Sequence, residues 1–466
     1  CIQKLNEKLF VIYILSIFLC LSCWYLNLPG LNFDECLGAA PAVKFLYGSN
    51  TEPMQIDPSV IHIFGRSLPV MIMPYISGLK TLLHIPFYAV FGASTVSTRL
   101  MPVTLVIISI WFFYLAVKKA KDAPKGLSRT ATLSSLLFAV HPVTVFYMTR
   151  DITTTIAVLC LSIVFYSLYK WKDNRQNVHL TIIAFFSGLG MSHKADFIWI
   201  LFSLLPAFLM VYQIKPKLKE ILLFAAGVVV GALPMIVFNF ATGFMTFRMA
   251  GNNFVFWNMP SAFVLRVAQL GMLFSGGFVG SYFTGIFPLI SVTSAVIMVY
   301  LLFHTNIDSK LSQILIYTIG IFVLLSSLTQ FALHIHHLLV LVPLICILMA
   351  DTRQKSAVIL LAVVFMLTSV SIDYDLKETK GVGVWSSAIN ELNHDLIENG
   401  KTINLRTHAF TGSLIVLSKG KLSMRRVYAG EKPDPNGLNL YREMQQDKII
   451  KVYRDSRNEV IAVLTQ

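Results

Sequence analysis

Charged residues are scarce in this chain: Asp, Glu, Lys and Arg make up 13% of its 466 residues, about half of their share in soluble globular domains. Hydrophobic residues make up 55%, and the mean hydropathy is +0.67. Apolar segments of about 20 residues, the length that crosses a bilayer, recur from Leu9 to Ile372, whereas residues 373–466 contain none. The sequence therefore predicts an α-helical membrane domain over residues 1–372 and a soluble domain over residues 373–466.

Acidic residues are also few, with 24 Asp and Glu against 38 Lys and Arg. Residues 373–466 are nearly balanced, holding 14 basic and 12 acidic residues, so the positive excess belongs to the membrane domain. There it clusters in the short loops 118–129, 170–176, 215–219 and 351–355. Short basic loops mark the cytoplasmic side of a membrane protein. The charge distribution therefore speaks against a nucleic-acid partner.

Cysteine and metal-binding motifs are the third shortage. Of six cysteines, four lie in apolar segments, where cysteine behaves as a small hydrophobic residue. Cys20 and Cys23 form a CxxC inside an apolar stretch, with no histidine or acid nearby. The adjacent acids Asp34 and Glu35 lack the spacing of a DxD motif. No cofactor is predicted, and a divalent cation is an alternative that these residues do not favour.

The basic loops fix how the chain threads the membrane. The first span, residues 9–28, then runs outward. The apolar stretch 68–92 carries three prolines, Lys80 and His84, and its crossing would place every later basic loop outside, so it is predicted to lie along the interface. The other spans are predicted over residues 98–117, 129–147, 152–170, 178–193, 196–213, 220–240, 283–303, 312–332, 335–350 and 356–372. This path has about eleven transmembrane helices, interfacial helices in the first external loop, and an external C-terminal domain. On this path, residues 241–282 form a long external loop with room for an interfacial or re-entrant helix.

The C-terminal residues have the pattern of a small α/β domain. Residues 384–399 have helical periodicity and end at Gly400, residues 402–407 are strand-like, and residues 448–464 form a predicted hairpin that turns over 455–458. The segment contains no nucleophile or metal motif. Three roles for this domain are weighed equally: docking of the acceptor, covering of the site, and stabilisation of the fold alone.

Ionisable residues gather on the predicted external face. Such residues at membrane depth are costly and mark functional sites. A carboxylate there can take a proton from a hydroxyl, and cations can stabilise a phosphate leaving group, as sugar transfer from a lipid phosphate requires. The candidate catalytic residues are Asp34, Glu35 and Asp151, the candidate phosphate-binding residues are Arg66, Arg150 and Lys194, and the candidate substrate-binding residues are His336 and His337.

Structural roles compete with each of these assignments. Asp34 also fits the role of an ordinary interfacial acid beside a transmembrane span, with no part in catalysis. Arg150 and Asp151 suit an ion pair at a helix end, where an acid near the helix N-terminus is favoured. Lys194 suits a lysine that reaches for the membrane surface, and the histidines suit an amphipathic interface.

The chain resembles the polytopic GT-C glycosyltransferases, in the branch of the protein O-mannosyltransferases and the bacterial aminoarabinose transferases. The resemblance lies in the order of "FDE" (33–35), "VFGASTVSTRL" (90–100), "HPVTVFYMTRDITTT" (141–155) and "GLGMSHKADF" (188–197), with a fainter echo at 336–345. It implies an external site, a polyprenyl-phosphate sugar donor and inversion at the sugar carbon.

Within this resemblance Asp34 matches the general base, Glu35 its neighbour, Asp151 an acid of the second external loop and Lys194 a basic residue near the donor phosphate. Arg66 lies near a basic position of some members, but two residues separate it from Pro69. The large lumenal insertion of the eukaryotic mannosyltransferases is absent, which favours a bacterial-type enzyme of the inner membrane with its site on the periplasmic side.

Two other functions stay open. A transporter of lipid-linked sugar would show repeated halves and charges at the midplane, whereas these charges crowd one face. A non-catalytic subunit of glycan assembly would keep the fold without the chemistry. The expected partners are a polyprenyl-phosphate-linked sugar, membrane lipid and an external acceptor, which is a glycolipid, a polysaccharide or a protein.

Overall fold

The computed structural model describes most of the chain, and the account below concerns these residues. They are residues 2–48, 60–121, 128–150, 152–251, 258–277, 287–328, 335–407, 410–427, 433–442, 444 and 449–465.

Helices make up the membrane domain. They are α1 (Ile2–Cys23), α2 (Phe33–Tyr47), α3 (Leu79–Phe91), α4 (Thr95–Ala120), α5 (Arg129–Val140), α6 (Ile152–Asn174), α7 (Asn177–His193), α8 (Phe197–Val211), α9 (Leu218–Gly231), α10 (Leu233–Ala241), α11 (Met245–Gly251), α12 (Met259–Phe274), α13 (Phe287–Phe303), α14 (Lys310–Ser326), α15 (Val342–Ala350) and α16 (Lys355–Thr379). A π-helical turn, Val143–Tyr147, follows α5, and a 3₁₀ helix, Ile335–Leu341, precedes α15.

Few of these helices are clear membrane spans by length and composition. Within the described residues, α4, α6 and α16 are long and apolar enough to cross a membrane, and the pair α9 and α10, bent by 66°, makes a fourth. Eight more apolar helices have 10–17 residues. The chain is thus a helical membrane protein, but the predicted number of eleven spans is not confirmed.

The predicted interfacial stretch 68–92 does not form one long helix. Its first residues end β2 (Arg66–Pro69), which forms a hairpin with the preceding β1 (Val60–Ile63). The stretch continues through β3 (Met71–Met73) and β4 (Ile76–Ser77) and ends in α3. The 13 residues of α3 extend about 20 Å at 1.5 Å per residue, less than the roughly 30 Å of a hydrocarbon core. This geometry suits a helix that lies along the interface.

The basic loops meet at one end of the bundle. Lys121, just after α4, pairs with Asp351 at 2.6 Å, and Arg175, just after α6, pairs with Glu220 of α9 at 3.3 Å. Arg99 lies at the other end of α4, in its second turn. Because α4 has 26 residues, about 39 Å of helix separates the basic end of the bundle from the end that holds the candidate site.

Small residues bring α7 and α9 into backbone contact. A Cβ atom on Gly188 of α7 would lie 2.1 Å from the carbonyl oxygen of Val228, and a Cβ atom on Gly231 of α9 would lie 2.2 Å from that of Phe185. Side chains no larger than hydrogen at these positions let membrane helices approach closely. The contact holds α7, which ends at His193 directly before Lys194, in place against α9.

The C-terminal domain contains one five-stranded sheet. Its strands are β5 (Ile403–Leu405), β6 (Met424–Arg426), β7 (Leu438–Tyr441), β8 (Ile449–Arg454) and β9 (Val460–Thr465), in the order β6-β5-β7-β9-β8, with β5 parallel to both neighbours and β9 antiparallel to both of its own. Helices α17 (Ala388–Asn399) and α18 (Thr411–Leu417) complete it.

The predicted helix, first strand and hairpin of this domain are confirmed. Gly400 ends α17 with φ 68°, and the hairpin turns at Asp455, whose amide donates to the carbonyl of Glu459 at 3.1 Å. The predicted boundary at residue 373 falls inside α16, which continues to Thr379. The α/β part of the chain therefore begins after that helix.

The C-terminal domain packs directly on α2. Gly412 of α18 lies so close to Cys36 that a Cβ atom on it would be 2.7 Å from the Cys36 Cβ. The Ser413 hydroxyl donates to the carbonyl of Leu31 at 2.9 Å, at the start of α2. Residues of both domains share one buried hydrophobic cluster, including Ala39 and Leu414. The C-terminal domain is therefore part of the support of α2.

Candidate active site

The start of α2 separates the two adjacent acids of the first external loop. Asn32 caps the helix, because its side-chain oxygen accepts from the Glu35 amide at 2.9 Å, while the Glu35 carboxylate accepts in return from the Asn32 amide at 3.5 Å. Neighbouring helical residues point about 100° apart. As a result, Glu35 is 1% exposed and Asp34 is exposed, in a first turn where the helix dipole favours a carboxylate.

Glu35 is held by a buried arginine. Two nitrogens of Arg99, Nε and Nη2, donate to the two carboxylate oxygens of Glu35 at 2.7 and 2.9 Å, and the side chains are 0% and 1% exposed. Arg99 also donates to the carbonyls of Leu28 and Gly30 at 2.7 and 3.2 Å. The pair therefore ties α2 to α4 and to the loop that leads into α2.

Arg150 binds that same loop. Its guanidinium donates to the Leu28 carbonyl at 2.7 Å and to the Phe146 carbonyl at 3.0 Å, and it lies 4.3 Å from the centre of the Phe146 ring. Arg99 and Arg150 thus share the Leu28 carbonyl. The phosphate contact predicted for Arg150 stays a prediction, and Asp151 lies outside the described residues.

Arg66 lies at the far end of α2. It is exposed, and its Nη1 donates to the carbonyls of Phe45 and Leu46, the latter at 2.8 Å. A cation is favoured at a helix C-terminus, where the last carbonyls point outward. Phe45 follows Asp34 by eleven residues, so roughly 16 Å of helix separates them. The structure does not bring Arg66 to the carboxylate of Asp34.

Two buried lysines converge on the first turn of α6. Lys80 of α3 is 0% exposed and Lys194, just after α7, is 5% exposed. The Lys80 ammonium donates to the Thr153 hydroxyl at 3.0 Å, and the Lys194 ammonium donates to the Thr154 hydroxyl at 3.2 Å. Because Thr153 and Thr154 are adjacent, both charges lie beside the positive end of the α6 dipole, an arrangement that binds anions.

Lys80 also lies against the helix that carries Asp34. A Cβ atom on Gly38 of α2 would lie 2.3 Å from the Cγ of Lys80, so the lysine stem crosses α2 at Gly38. Asp34 precedes Gly38 by four residues, and residues four apart lie on the same face of a helix. The exposed carboxylate and the Lys80 stem therefore share one face of α2.

The Lys194 turn is fixed by backbone contacts. Lys194 pairs with Ile76 of β4, and the Ala195 amide donates to the Tyr75 carbonyl at 3.1 Å. His193 Nε2 lies 3.1 Å from the Thr153 carbonyl oxygen. These contacts join the first external loop, α6 and the α7–α8 turn into one unit around the lysines.

Asp196 brings the predicted histidines into the same region. A carboxylate oxygen of Asp196, at the start of α8, forms an ion pair with Nδ1 of His337, and the rings of His336 and His337 have centroids 4.2 Å apart. Burial opposes the charge of Asp196, but the hydrogen bond and charge of His337 outweigh it and hold the pKa of this carboxyl below its usual range. Asp196 thus stays an anion.

Tyr75, in the turn between β3 and β4, lies within electrostatic reach of both Asp34 and Asp196. Burial raises the pKa of its phenol, and the charges of Asp196 and Asp34 raise it further. Because both carboxylates act on the same phenol, Asp34 and Asp196 lie in the same region of the structure. The tight turn between β3 and β4 holds Tyr75 in position there.

Sequence reasoning missed three groups of this site, namely Lys80, Arg99 and Asp196. Lys80 was visible as a lone cation in an apolar helix, which is itself a signal of function. Asp196 stands two residues after Lys194 in the same external turn, but its partner His337 is too distant in sequence to predict. Nothing in the sequence around Arg99 distinguishes it from a membrane-flanking cation.

Among the described residues, one group has the geometry to hold a metal ion. It consists of His394, Asp395 and Glu398 on α17, in the C-terminal domain. The ammonium of Lys451 already lies 2.7 Å from Asp395, and the Tyr453 hydroxyl donates to Asp395 at 2.6 Å. These contacts account for the cluster as a surface network.

Comparisons with known proteins agree with the resemblance inferred from the sequence. A family model described as dolichyl-phosphate-mannose-protein mannosyltransferase matches residues 82–241. This range contains α4 to α10 and includes Arg99, Lys194 and Asp196. No curated protein sequence matches the chain.

The solved structures match over almost the whole chain. ArnT from Cupriavidus metallidurans bound to undecaprenyl phosphate has a TM-score of 0.62 at 13% identity, covering 98% of this chain and 97% of that one. The same protein in the apo state has a TM-score of 0.61 at 11% identity, covering 100% and 98%. The chain therefore has the fold of ArnT with its C-terminal domain included, and the resemblance to GT-C glycosyltransferases is confirmed.

Proposed function

From the ArnT-like fold and the geometry of the site, we propose that this chain is an inverting glycosyltransferase. It moves a sugar from a polyprenyl-phosphate donor to a hydroxyl or amine of an acceptor at the external face of the membrane. The observation that carries the proposal is the exposed carboxylate of Asp34 on the same face of α2 as the buried stem of Lys80.

The two buried lysines form the proposed phosphate site. When the bond between the sugar carbon and the phosphate oxygen breaks, the departing phosphate monoester gains negative charge. Ammonium groups that are already fixed and desolvated stabilise this charge without reorganisation. Lys80, Lys194 and the start of α6 supply such groups, because the threonine hydroxyls hold both ammonium groups in place.

Asp34 is the proposed base. It takes the proton of the acceptor hydroxyl or amine while the acceptor atom attacks the sugar carbon and the phosphate leaves with the bonding electron pair. Because one displacement occurs from the side opposite the phosphate, the configuration at the sugar carbon inverts. The products are the glycosylated acceptor, polyprenyl phosphate and a proton that Asp34 releases to water.

The other predicted residues take different roles in this proposal. Glu35, buried against Arg99, is a positioning residue that keeps the first turn of α2 in place, and Arg150 supports the same loop. Arg66 stabilises the far end of α2. Asp151, next to the Thr153 and Thr154 turn in sequence, stays a candidate for the second acid that the family resemblance implies.

The proposed location is the cytoplasmic membrane, with the site and the C-terminal domain on the periplasmic side. The basic ends of α4 and α6 would then face the cytoplasm, as short basic loops do. A lipid-borne donor presents its phosphate at the membrane surface, and a base on an interfacial helix lies at that depth. The acceptor is a glycolipid, a polysaccharide or a protein.

Substitution of Asp34 by Asn tests the proposal. The purified chain in proteoliposomes would be supplied with undecaprenyl-phosphate hexoses and pentoses together with a panel of glycolipid, polysaccharide and protein acceptors, and the release of undecaprenyl phosphate would be measured. Loss of a general base lowers turnover by about 10²–10⁴-fold, while the free energy of unfolding falls by about 1 kcal/mol or less, the size of a helix-dipole contact at an exposed site. Asp308→Asn, an equally exposed acid at the opposite end of the bundle, provides the matched control. Full turnover in Asp34→Asn would remove this residue from the mechanism.

A further inference from the structure

The Asp196–His337 pair is open to its surroundings. Its side chains keep 24% and 11% exposure for Asp196 and His337, respectively. The pair of Glu35 and Arg99, which ties helices together, is 1% and 0% exposed. The partial exposure of Asp196 therefore leaves room for a ligand group at its carboxylate.

The pair adjoins the proposed phosphate site. Asp196 follows Lys194 by two residues in the α7–α8 turn, and this turn is joined to Tyr75 by the hydrogen bond from Ala195. Arg266 of α12, which is 1% exposed, lies within electrostatic reach of Asp196. A carboxylate thus stands beside the cations that would hold a phosphate.

The charge of Asp196 decides what it can bind. A carboxylate repels phosphate, so it cannot be a ligand of the leaving group, and it accepts hydrogen bonds but donates none when ionised. The groups next to a sugar-linked phosphate are the hydroxyls of the sugar, which are neutral donors. Aromatic surfaces with a few fixed polar groups are typical of small-molecule sites, and Tyr75, His336 and His337 provide such surfaces around Asp196.

Resting on the proposed function, we infer that Asp196, oriented by His337, binds hydroxyl groups of the donor sugar and determines which sugar is accepted. His337 fixes the carboxylate through Nδ1 and acts as a positioning residue. Lys80 and Lys194 bind the phosphate of the donor. Asp196 distinguishes one sugar from another by accepting hydrogen bonds from the sugar hydroxyls that lie within its reach.

Binding measurements on the purified full chain separate the two functions. Undecaprenyl phosphate without sugar probes the lysines, and a panel of undecaprenyl-phosphate hexoses and pentoses probes the sugar subsite. The parent protein should bind one sugar-bearing lipid more tightly than the others. Asp196→Asn should reduce that preference by about 10- to 100-fold, the effect of one hydrogen bond to a charged group, and leave undecaprenyl phosphate binding within about threefold.

Three further variants make the outcome specific. His337→Asn keeps a donor near the Nδ1 position and should retain part of the preference, whereas His337→Phe should lose it. Asp351→Asn breaks another partly buried pair, with Lys121 at the opposite end of the bundle, and should lower stability without changing the preference. Lys80→Met should lose binding of undecaprenyl phosphate and of every sugar-bearing lipid. If Lys80→Met still binds them, the proposed phosphate site is wrong, and with it the proposed function.

The inference is overturned if Asp196→Asn weakens undecaprenyl phosphate and the sugar-bearing lipids equally, since the residue would then act on the phosphate or on the fold. It is also overturned if the preference among donors persists in Asp196→Asn, because Asp196 would then make no contribution to the choice of sugar.

Discussion

Removal of either partner of the Glu35–Arg99 pair should destabilise the protein far more than removal of Asp34. Both side chains are desolvated, and two short hydrogen bonds of 2.7 and 2.9 Å join them. A buried charge left without its partner costs about 3–5 kcal/mol. Glu35→Gln and Arg99→Met should each reduce the free energy of unfolding by that amount.

The double variant gives the sharper test. With both charges absent, neither is left alone in the core, so the combined loss should be smaller than the sum of the single losses by about 2–4 kcal/mol. Arg99 also donates to loop carbonyls, so the double variant should still be less stable than the parent.

Arg99→Lys tests the geometry of the contact. A lysine is a point charge and cannot reproduce the two parallel bonds or reach the carbonyls of Leu28 and Gly30 together. We expect this variant to be nearly as unstable as Arg99→Met.

The assay is reversible unfolding in mixed detergent micelles, followed by tryptophan fluorescence, with Asp34→Asn as the comparison. A cost below about 0.5 kcal/mol for Glu35→Gln, or strict additivity in the double variant, would refute the assignment of a desolvated pair. Equal losses of stability in Asp34→Asn and Glu35→Gln would refute the separation of the two acids by the first turn of α2.

Two other perturbations test the support of the site. Gly412→Val places atoms against Cys36, so overpacking should lower the free energy of unfolding by about 1–3 kcal/mol and, by displacing α2, lower turnover. Gly320→Val, whose added atoms meet open space, should change neither. Equal losses of stability and turnover in the two variants would contradict the docking of the C-terminal domain on α2. Burial lowers the pKa of His84 to about 4, against about 6.5 in an unfolded chain. The unfolded chain then binds more protons between these values, so stability should fall as the pH drops from about 6.5 towards 4, and His84→Gln should flatten that part of a thermal unfolding profile.

The positions of most helices could be predicted from hydropathy, because every predicted span overlaps a helix of the structure. Their lengths and continuity could not. The break between α9 and α10 follows from close packing at Gly231 and from Pro234, which starts α10, whereas the hydropathy of 220–240 is continuous. Helix α16 passes the predicted domain boundary because residues after 372 keep packing, with Leu376 fully buried.

The acids of the site show where sequence reasoning reaches its limit. Asp34 and Glu35 are equivalent in a list of charges, and only the capping of α2 by Asn32 turns one outward and the other inward. The N-x-x-E spacing of that cap was present in the sequence and could have distinguished them. The partners Arg99 and His337 come from distant segments, and their pairing depends on helix packing that no local pattern encodes.

The glycine contact between α7 and α9 has a consequence for how a lipid substrate would travel. With a carbonyl oxygen 2.1 Å from where a Cβ of Gly188 would stand, the seam between these helices has no width for an isoprenoid chain. The tail of a polyprenyl donor would have to approach Lys80 and Lys194 from another side of the bundle. Gly188→Leu would push α7 and α9 apart but would not open a path for the lipid between them, because the leucine side chain would fill the space that its insertion creates.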